Sequence, residues 1–256
     1  MKPESQPDEQ CRQSKTEARQ QLRTGRPLTE GTPVAGPTLT LSRGGLSTAL
    51  LGKSAQPLVS DPASRTWATL LEKPNTGETD RPVLVQWVSP ESPEPPVHYH
   101  PKTERFEALE GELTVVCDGT PIKLGPTESL TVEPGQEHTF RNDTSDIVAF
   151  KAELPSIQTV KGLYTAWGVS HERGRSANGS YGPPGPITSL LIAADLADET
   201  TITLAPQPVQ RFLWATVGRL ARLAGMTGID ERYLNRSFWE RHVEQPKWEE
   251  LRDGAN

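Results

Sequence analysis

The sequence predicts a mainly β protein, an antiparallel barrel followed by α-helices, from three observations. Between residues 66 and 154, short runs rich in β-branched and aromatic residues alternate with turn signals. Three of the five histidines fall in that stretch, with a glutamate close by, at spacings that suit neighbouring strands. Beyond Leu154 the apolar period lengthens from two residues to between three and four, which is helical.

Residues 1–36 carry Gln, Glu, Arg, Ser and Pro with almost no large apolar side chain, too little to offset the entropy of ordering them. They are expected to be disordered or loosely attached. Residues 44–54 contain the glycines and Lys53-Ser54 of a phosphate loop, but six residues separate Gly45 from Gly52 where four are required. A strand-and-turn lead-in is expected there instead.

The barrel is expected over residues 37–156, with strands at 66–71, 83–88, 106–109, 112–117, 129–132 and 147–154. The fourth alternates clearly: Leu113, Val115 and Cys117 share one face, Glu112, Thr114 and Val116 the other. It ends at Asp118-Gly119, a pair suited to a two-residue type I′ turn, which needs positive φ at both positions.

Residues 157–256 are expected to form a helical extension packed on the barrel. Ile157, Val160, Leu163, Tyr164 and Trp167 recur at helical spacing, and a second run spans 187–196. Between them residues 174–186 are dense in Gly, Ser and Pro, a loop. Residues 201–204 suit one more strand. After Pro208, apolar residues at Val209, Phe212, Leu213, Val217, Leu220 and Leu223 form a stripe that Gly225 terminates. Arg211, Arg219 and Arg222 make the other face of that helix basic, which suits either a membrane surface or docking of the stripe onto the barrel. Docking is the expectation adopted. Leu234, Phe238 and His242, with Trp239 and Trp248, predict a short packing helix at the end.

The chain has 256 residues and a net charge of −6, without the basic stripe that nucleic acid requires. No run approaches the ~20 apolar residues of a membrane span, and the N-terminus lacks a signal-peptide core. The expectation is a cytoplasmic protein without nucleic-acid or membrane partners. Cys11 and Cys117 lie in contexts too different for a disulfide, and the sequons at Asn142, Asn178 and Asn235 are chance matches.

The chemistry concentrates in His98-Tyr99-His100, Glu104 and His138. Alternation along a strand points the two rings of His-x-His to one face, close enough to share an ion, and turns Tyr99 to the other. His171 and His242 have no acidic or cysteine partner at ligand spacing and are expected to be structural or exposed.

This pattern resembles the two motifs of the cupin superfamily, G-x5-H-x-H-x(3,4)-E-x6-G and G-x5-P-x-G-x2-H-x3-N. The first reads here as His98-x-His100-x3-Glu104-x6-Gly111, the second as Gly135-x2-His138-x3-Asn142. Ser92 stands where the first motif opens with Gly, and Glu133 where the second has its first Pro; both are turn positions rather than ligands. Residues 65–153 carry the resemblance. A barrel followed by helices, with a Val-Gln-Arg…Leu-Ala-Arg-Leu-Ala-Gly helix near the end, is similar to a group of stand-alone, single-domain cupins of the type 2 conserved-barrel kind, and that narrower resemblance implies no reaction.

The resemblance implies a double-stranded β-helix, or jelly roll, holding a divalent transition metal (Fe, Mn, Ni, Cu, Co or Zn) through His98, His100, Glu104 and His138. It also makes a homodimer the expected assembly. Residues in phase with the ligands, Phe106 and Phe140, are expected to line a substrate pocket, as is Trp87, whose register no ligand fixes. Three readings stay open for the small-molecule chemistry. One is a dioxygenase-like oxidoreductase, with Glu104 as a catalytic base by family resemblance. The others are a metal-dependent isomerase or lyase acting on a sugar or keto acid, and a non-catalytic metal or ligand-binding module.

Overall fold

The computed structural model describes residues 21–72, 81–177 and 179–247. The expectations for residues 1–20 with Cys11, for Asn178 and for Trp248 lie outside the described residues.

The strands, in chain order, are β1 (Gln21–Thr24), β2 (Leu28–Thr29), β3 (Thr32–Pro33), β4 (Leu39–Ser42), β5 (Val59–Asp61), β6 (Thr66–Glu72), β7 (Val83–Val88), β8 (His98–Tyr99), β9 (Glu104–Glu110), β10 (Leu113–Cys117), β11 (Thr120–Leu124), β12 (Ser129–Val132), β13 (His138–Arg141), β14 (Val148–Glu153) and β15 (Thr201–Ile202). Helix α1 (Leu46–Lys53) lies between β4 and β5. The others are α2 (Ile157–Arg173), α3 (Pro186–Asp195), α4 (Gln207–Leu213), α5 (Arg219–Leu223) and α6 (Arg236–His242), with a π-turn, Trp214–Gly218, joining α4 to α5.

Two antiparallel sheets make the jelly-roll barrel. One has the order β12-β9-β14-β7-β6-β5, the other β11-β10-β13-β8-β15, and no ladder joins them among the described residues. Asp118 (φ 48°) and Gly119 (φ 78°) both adopt the positive φ of the expected type I′ turn between β10 and β11.

Register decides what faces inward. Glu104 and Phe106 sit opposite Val132 and Leu130 on β12, and Phe106 sits opposite Ala152 on β14. Ala152 and Phe150 in turn oppose Leu84 and Gln86 on β7. Glu104, Phe106, Phe150, Leu84 and Gln86 therefore share one face of the sheet. Trp87 must occupy the other.

That parity corrects the expectation for Trp87. It pairs with Trp67 on β6 on the outer face, and its indole Nε1 donates to Ser47 Oγ of α1 at 3.0 Å. Trp67 Nε1 donates to the Gly25 carbonyl at 2.9 Å. Both tryptophans cement N-terminal elements onto the outside of the barrel rather than lining its interior.

Two N-terminal expectations are corrected as well. Residues 21–36 are not a loose tail: β1 pairs with β4 along its length, Leu22 and Thr24 are buried, and Arg26 meets Glu244 at 2.7 Å. The partners of this segment lie far along the chain, so its own composition gives no sign of them. Residues 46–53 form α1 rather than a strand and turn, and the Glu110 carboxylate accepts from the Ser47 amide at the helix start.

The extension packs mainly through α2 and α6. Ser156 caps α2, its Oγ accepting from the Thr159 amide, and α2 buries Val160, Tyr164 and Trp167. Tyr164 and Trp239 meet edge to face at 5.5 Å between ring centroids. Gly168 allows close approach to Tyr233: a Cβ there would lie 2.0 Å from the ring. His171 anchors α2 to edge strand β5 through Ser60.

The helix formed by α4, the π-turn and α5 departs from expectation. Its packed side is Gly218 and Ala221, with Gly218 turned toward Leu191 of α3, while Phe212, Leu220 and Leu223 are 65%, 68% and 78% exposed. The apolar stripe thus faces solvent and does not dock on the barrel. Small residues on the opposite side permit the closer packing with α3.

Candidate metal centre

Strand geometry brings the four predicted ligands together. His98 on β8 is directly opposite His138 on β13, while Glu104 begins β9 in the facing sheet. One ligand atom from each of His98, His100, Glu104 and His138 lies within 4.8 Å of the others. His100, Glu104 and His138 are buried and His98 is half-buried, so the cluster opens to the surface on the His98 side.

Three backbone carbonyls orient the rings. His98 Nδ1 lies 2.8 Å from the Pro96 oxygen, His138 Nδ1 2.9 Å from the Gln136 oxygen, and His100 Nδ1 2.8 Å from the Glu199 oxygen. Carbonyls only accept, so each Nδ1 carries the proton and each neutral ring presents a bare Nε2 lone pair to the centre. Thr200 Oγ1, 3.1 Å from His100 Nδ1, adds a second contact.

That tautomer set creates an electrostatic demand. Glu104 Oε2 lies 2.8 Å from His138 Nε2 and 3.3 Å from His100 Nε2, and the latter is buried without a hydrogen-bond partner. Lone pairs facing one another at these distances repel unless a cation sits among them. Imidazole nitrogens with one carboxylate suit a divalent transition ion, so the donor set fits the metal that the sequence pattern implies.

A proton is the simpler cation. Burial alone would raise the Glu104 carboxyl, but its contacts with His100 and His138 outweigh burial and hold it at about 2. For His138 burial opposes protonation, yet the hydrogen bond and charge of Glu104 prevail and raise it. Burial dominates at His98, pushing it down to about 4 against the opposing attraction of Glu104.

Phe106 and Phe140 meet in the barrel interior, with Phe106 beside the cluster. Phe106 is 6.1 Å from the His138 ring and 6.0 Å from Phe140, and both meet Phe150, at 5.9 and 5.1 Å. Phe150 was not singled out in the sequence, although its place two residues before the inward Ala152 marks the same face. Gln86 was missed for want of a register signal: it is a buried amide on the inward face with no side-chain hydrogen bond among the described residues. Cys117, opposite His138 on β10, is buried and free.

The remaining histidines stand apart, as expected. His171 is buried against Ser60, and His242 stacks on Phe238 with ring centroids 4.1 Å apart.

Residues 85–151 match the family model of the Cupin domain. No curated protein matches the chain. Solved structures that it resembles include a polyketide cyclase of Streptomyces resistomycificus, at 22% identity and TM-score 0.33 over 39% of this chain and 73% of that one. A sugar phosphate isomerase of Silicibacter pomeroyi, from a cupin superfamily, is 18% identical with TM-score 0.29 over 42% and 62% of the two chains. A chain from crystal structures of the DMSP lyases RdDddP and RnDddQII gives 16% identity and TM-score 0.30 over 34% of this chain, and the match spans less than half, 46%, of that chain. With the motif residues converging as they do, the segment 85–151 is a cupin domain, and through it the chain is a member of the cupin superfamily.

Proposed function

We propose that the chain is a metal-dependent cupin oxidoreductase of the dioxygenase-like kind, acting on a small, partly apolar molecule such as a phenol or enol. The observation that carries this reading is the bare Nε2 of buried His100, facing Glu104 Oε2 at 3.3 Å. Such a contact calls for a cation, and a metal supplies it without consuming a proton.

His98, His100, Glu104 and His138 would hold the ion. When bound it supplies Lewis acidity and, if redox-active, electron exchange with dioxygen. The half-buried side at His98 is where a small molecule enters. Phe106, Phe140 and Phe150 form an apolar floor that excludes water and favours an aromatic or enol ring. Glu104 would be the proton acceptor for a substrate hydroxyl, the role the family resemblance suggests, with His100 and His138 holding its carboxyl below the ordinary range. Gln86 is the one polar side chain identified on the inward face of β7, which is sparse equipment for holding a sugar or keto acid and makes the isomerase or lyase reading the weaker one.

Elemental analysis of the purified protein, followed by oxygen-electrode assays with catechols and enols, tests the proposal. Iron, nickel, copper, cobalt or manganese at one per chain with substrate-dependent oxygen uptake supports it. A metal-loaded protein that consumes no oxygen with any of these substrates overturns the oxidoreductase reading in favour of the isomerase or binding module.

A further inference from the structure

The segment from Thr200 to Ile229 contains Arg211, Arg219 and Arg222 and no Asp, Glu or Lys, in a chain whose net charge is −6. Its apolar residues face out. Seven of the ten large hydrophobic side chains exposed among the described residues lie between Leu204 and Met226, led by Leu204 at 80%. Four of them are more than half exposed: Leu204, Phe212, Leu220 and Leu223.

A patch of this kind exceeds the scattered exposure normal for a monomer, whose largest apolar patch is roughly 300–600 Å² and is often functional. We infer that this face is a docking surface for an anionic phospholipid bilayer. The helix would lie in the plane of the headgroups with Phe212, Leu220 and Leu223 inserted and Arg211 and Arg219 among the phosphates.

Charge selects the bilayer over a second copy of the chain. Arg222 is paired with Asp195, but Arg211 and Arg219 have no acidic partner among the described residues. An isologous pair of these helices would bring four such guanidinium groups to one interface whose helices offer no carboxylate, and like charges so placed repel. An anionic lipid surface supplies the apolar medium and the negative charge together. The segment is also too short and interrupted to cross a bilayer, and no helix of the described residues is long and apolar enough to do so.

The segment also reaches the strand that carries His98. Thr203 donates its amide to the Val97 carbonyl at 2.9 Å, and β15 pairs with β8 at His98. Val97 and Leu204, both exposed, add apolar side chains beside that strand. The proposal departs from the expectation of a protein without a membrane partner.

The experiment is co-sedimentation of the full-length protein with vesicles of phosphatidylcholine alone and with about 30% phosphatidylserine. The expected result is pelleting with the anionic vesicles, reduced by high salt and weak on the neutral ones. Each basic residue near such a surface strengthens binding about fivefold, so R211Q/R219Q should bind roughly 25-fold more weakly. F212D and L223D should each abolish pelleting, with circular dichroism confirming the fold. The exposed arginine pair keeps the test decisive if an aspartate variant fails to fold. Wild-type protein that stays in the supernatant overturns the inference, as does equal binding to both vesicles. So does a dimer in size-exclusion chromatography that L220D converts to monomer without any lipid binding, which would assign the face to a second copy. None of these readouts depends on the metal or the reaction.

Discussion

The Nδ1 of His100 lies 2.8 Å from the carbonyl oxygen of Glu199, a residue of the C-terminal extension 99 positions further along the chain. The contact exists because β15 adds to β8 and carries the preceding residues over the ring. The extension is therefore part of the candidate metal centre. It selects the tautomer of a central ligand, while Pro96 and Gln136 do the same for His98 and His138 from within the barrel.

Loosening that contact should weaken the metal without unfolding the barrel. Thr200→Val removes the Oγ1 that lies 3.1 Å from His100 Nδ1, and outer partners of this kind are worth about 10–100-fold in metal affinity. The lower part of that range is expected, since the Glu199 carbonyl remains. Metal titration monitored by competition with a chromophoric chelator, with the melting temperature of the metal-free protein as control, measures it. Unchanged affinity would show that the carbonyl alone orients the ring.

Ligand and structural histidines should separate in one pair of variants. His100→Ala removes a buried ligand and should leave little metal on folded protein, whereas His242→Ala should retain the full complement, since its ring meets Phe238 and His171 and none of the four ligands. Elemental analysis after gel filtration reads both. Equal metal loss in the two variants would sink the site assignment.

What the sequence conveyed and what it withheld divide along the range of the interactions. The strands around Val115 and Phe150 were readable because alternation is a local signal, and the ligands because their spacing maps onto one strand face. The apolar stripe from Val209 to Leu223 was equally readable as a helix, but periodicity reports that a stripe exists and not what covers it; the small residues Gly218 and Ala221 decided the packing. Trp87 takes the outer face although nothing local fixes its register; only pairing with Ala149 on one side and Trp67 on the other does. The carbonyl of Glu199 was invisible because a backbone group has no sequence signature.

The N-terminal segment yields a prediction opposite to the one its composition invites. Leu22 is buried in the main core, and Leu22→Ala should cost about 2–4 kcal/mol. A chain beginning at residue 31 also loses the Gly25 carbonyl that holds Trp67 and the Arg26–Glu244 pair. It should be poorly soluble or melt well below the full chain in a thermal scan. A truncated protein as stable as the parent would show that β1 contributes nothing to the core.

Gly168 offers a test of the packing between α2 and the C-terminal helices. A methyl group there would fall 2.0 Å from the Tyr233 ring, which is itself fully buried, so Gly168→Ala must displace one of the two elements. Helix propensity favours alanine by up to about 1 kcal/mol, while overpacking costs roughly 1–3 kcal/mol. Net destabilisation is expected, read as a lower denaturation midpoint with unchanged metal content. A variant more stable than wild type would mean that Tyr233 yields freely.

His171 sets a pH dependence that is separate from the metal centre. Burial, reinforced by the nearby His242, pushes its pKa down to about 3 from the ordinary 6.5, against the opposing pull of the Ser60 carbonyl. The unfolded chain therefore takes up this proton first as pH falls. The stabilisation of the neutral buried ring is complete above pH 6.5 and drains away as pH drops toward 3. At 1.36 kcal/mol for each pKa unit, the loss across that window is on the order of 3–5 kcal/mol. His171→Gln keeps a donor for the Ser60 carbonyl but cannot titrate, so it should be less stable than wild type at pH 7 and lose less stability on acidification. Urea denaturation of both metal-free proteins at a series of pH values measures the difference, which cancels the shared titration of His98 and His138. Parallel curves for the two proteins would show that His171 is protonated alike in the folded and unfolded chains.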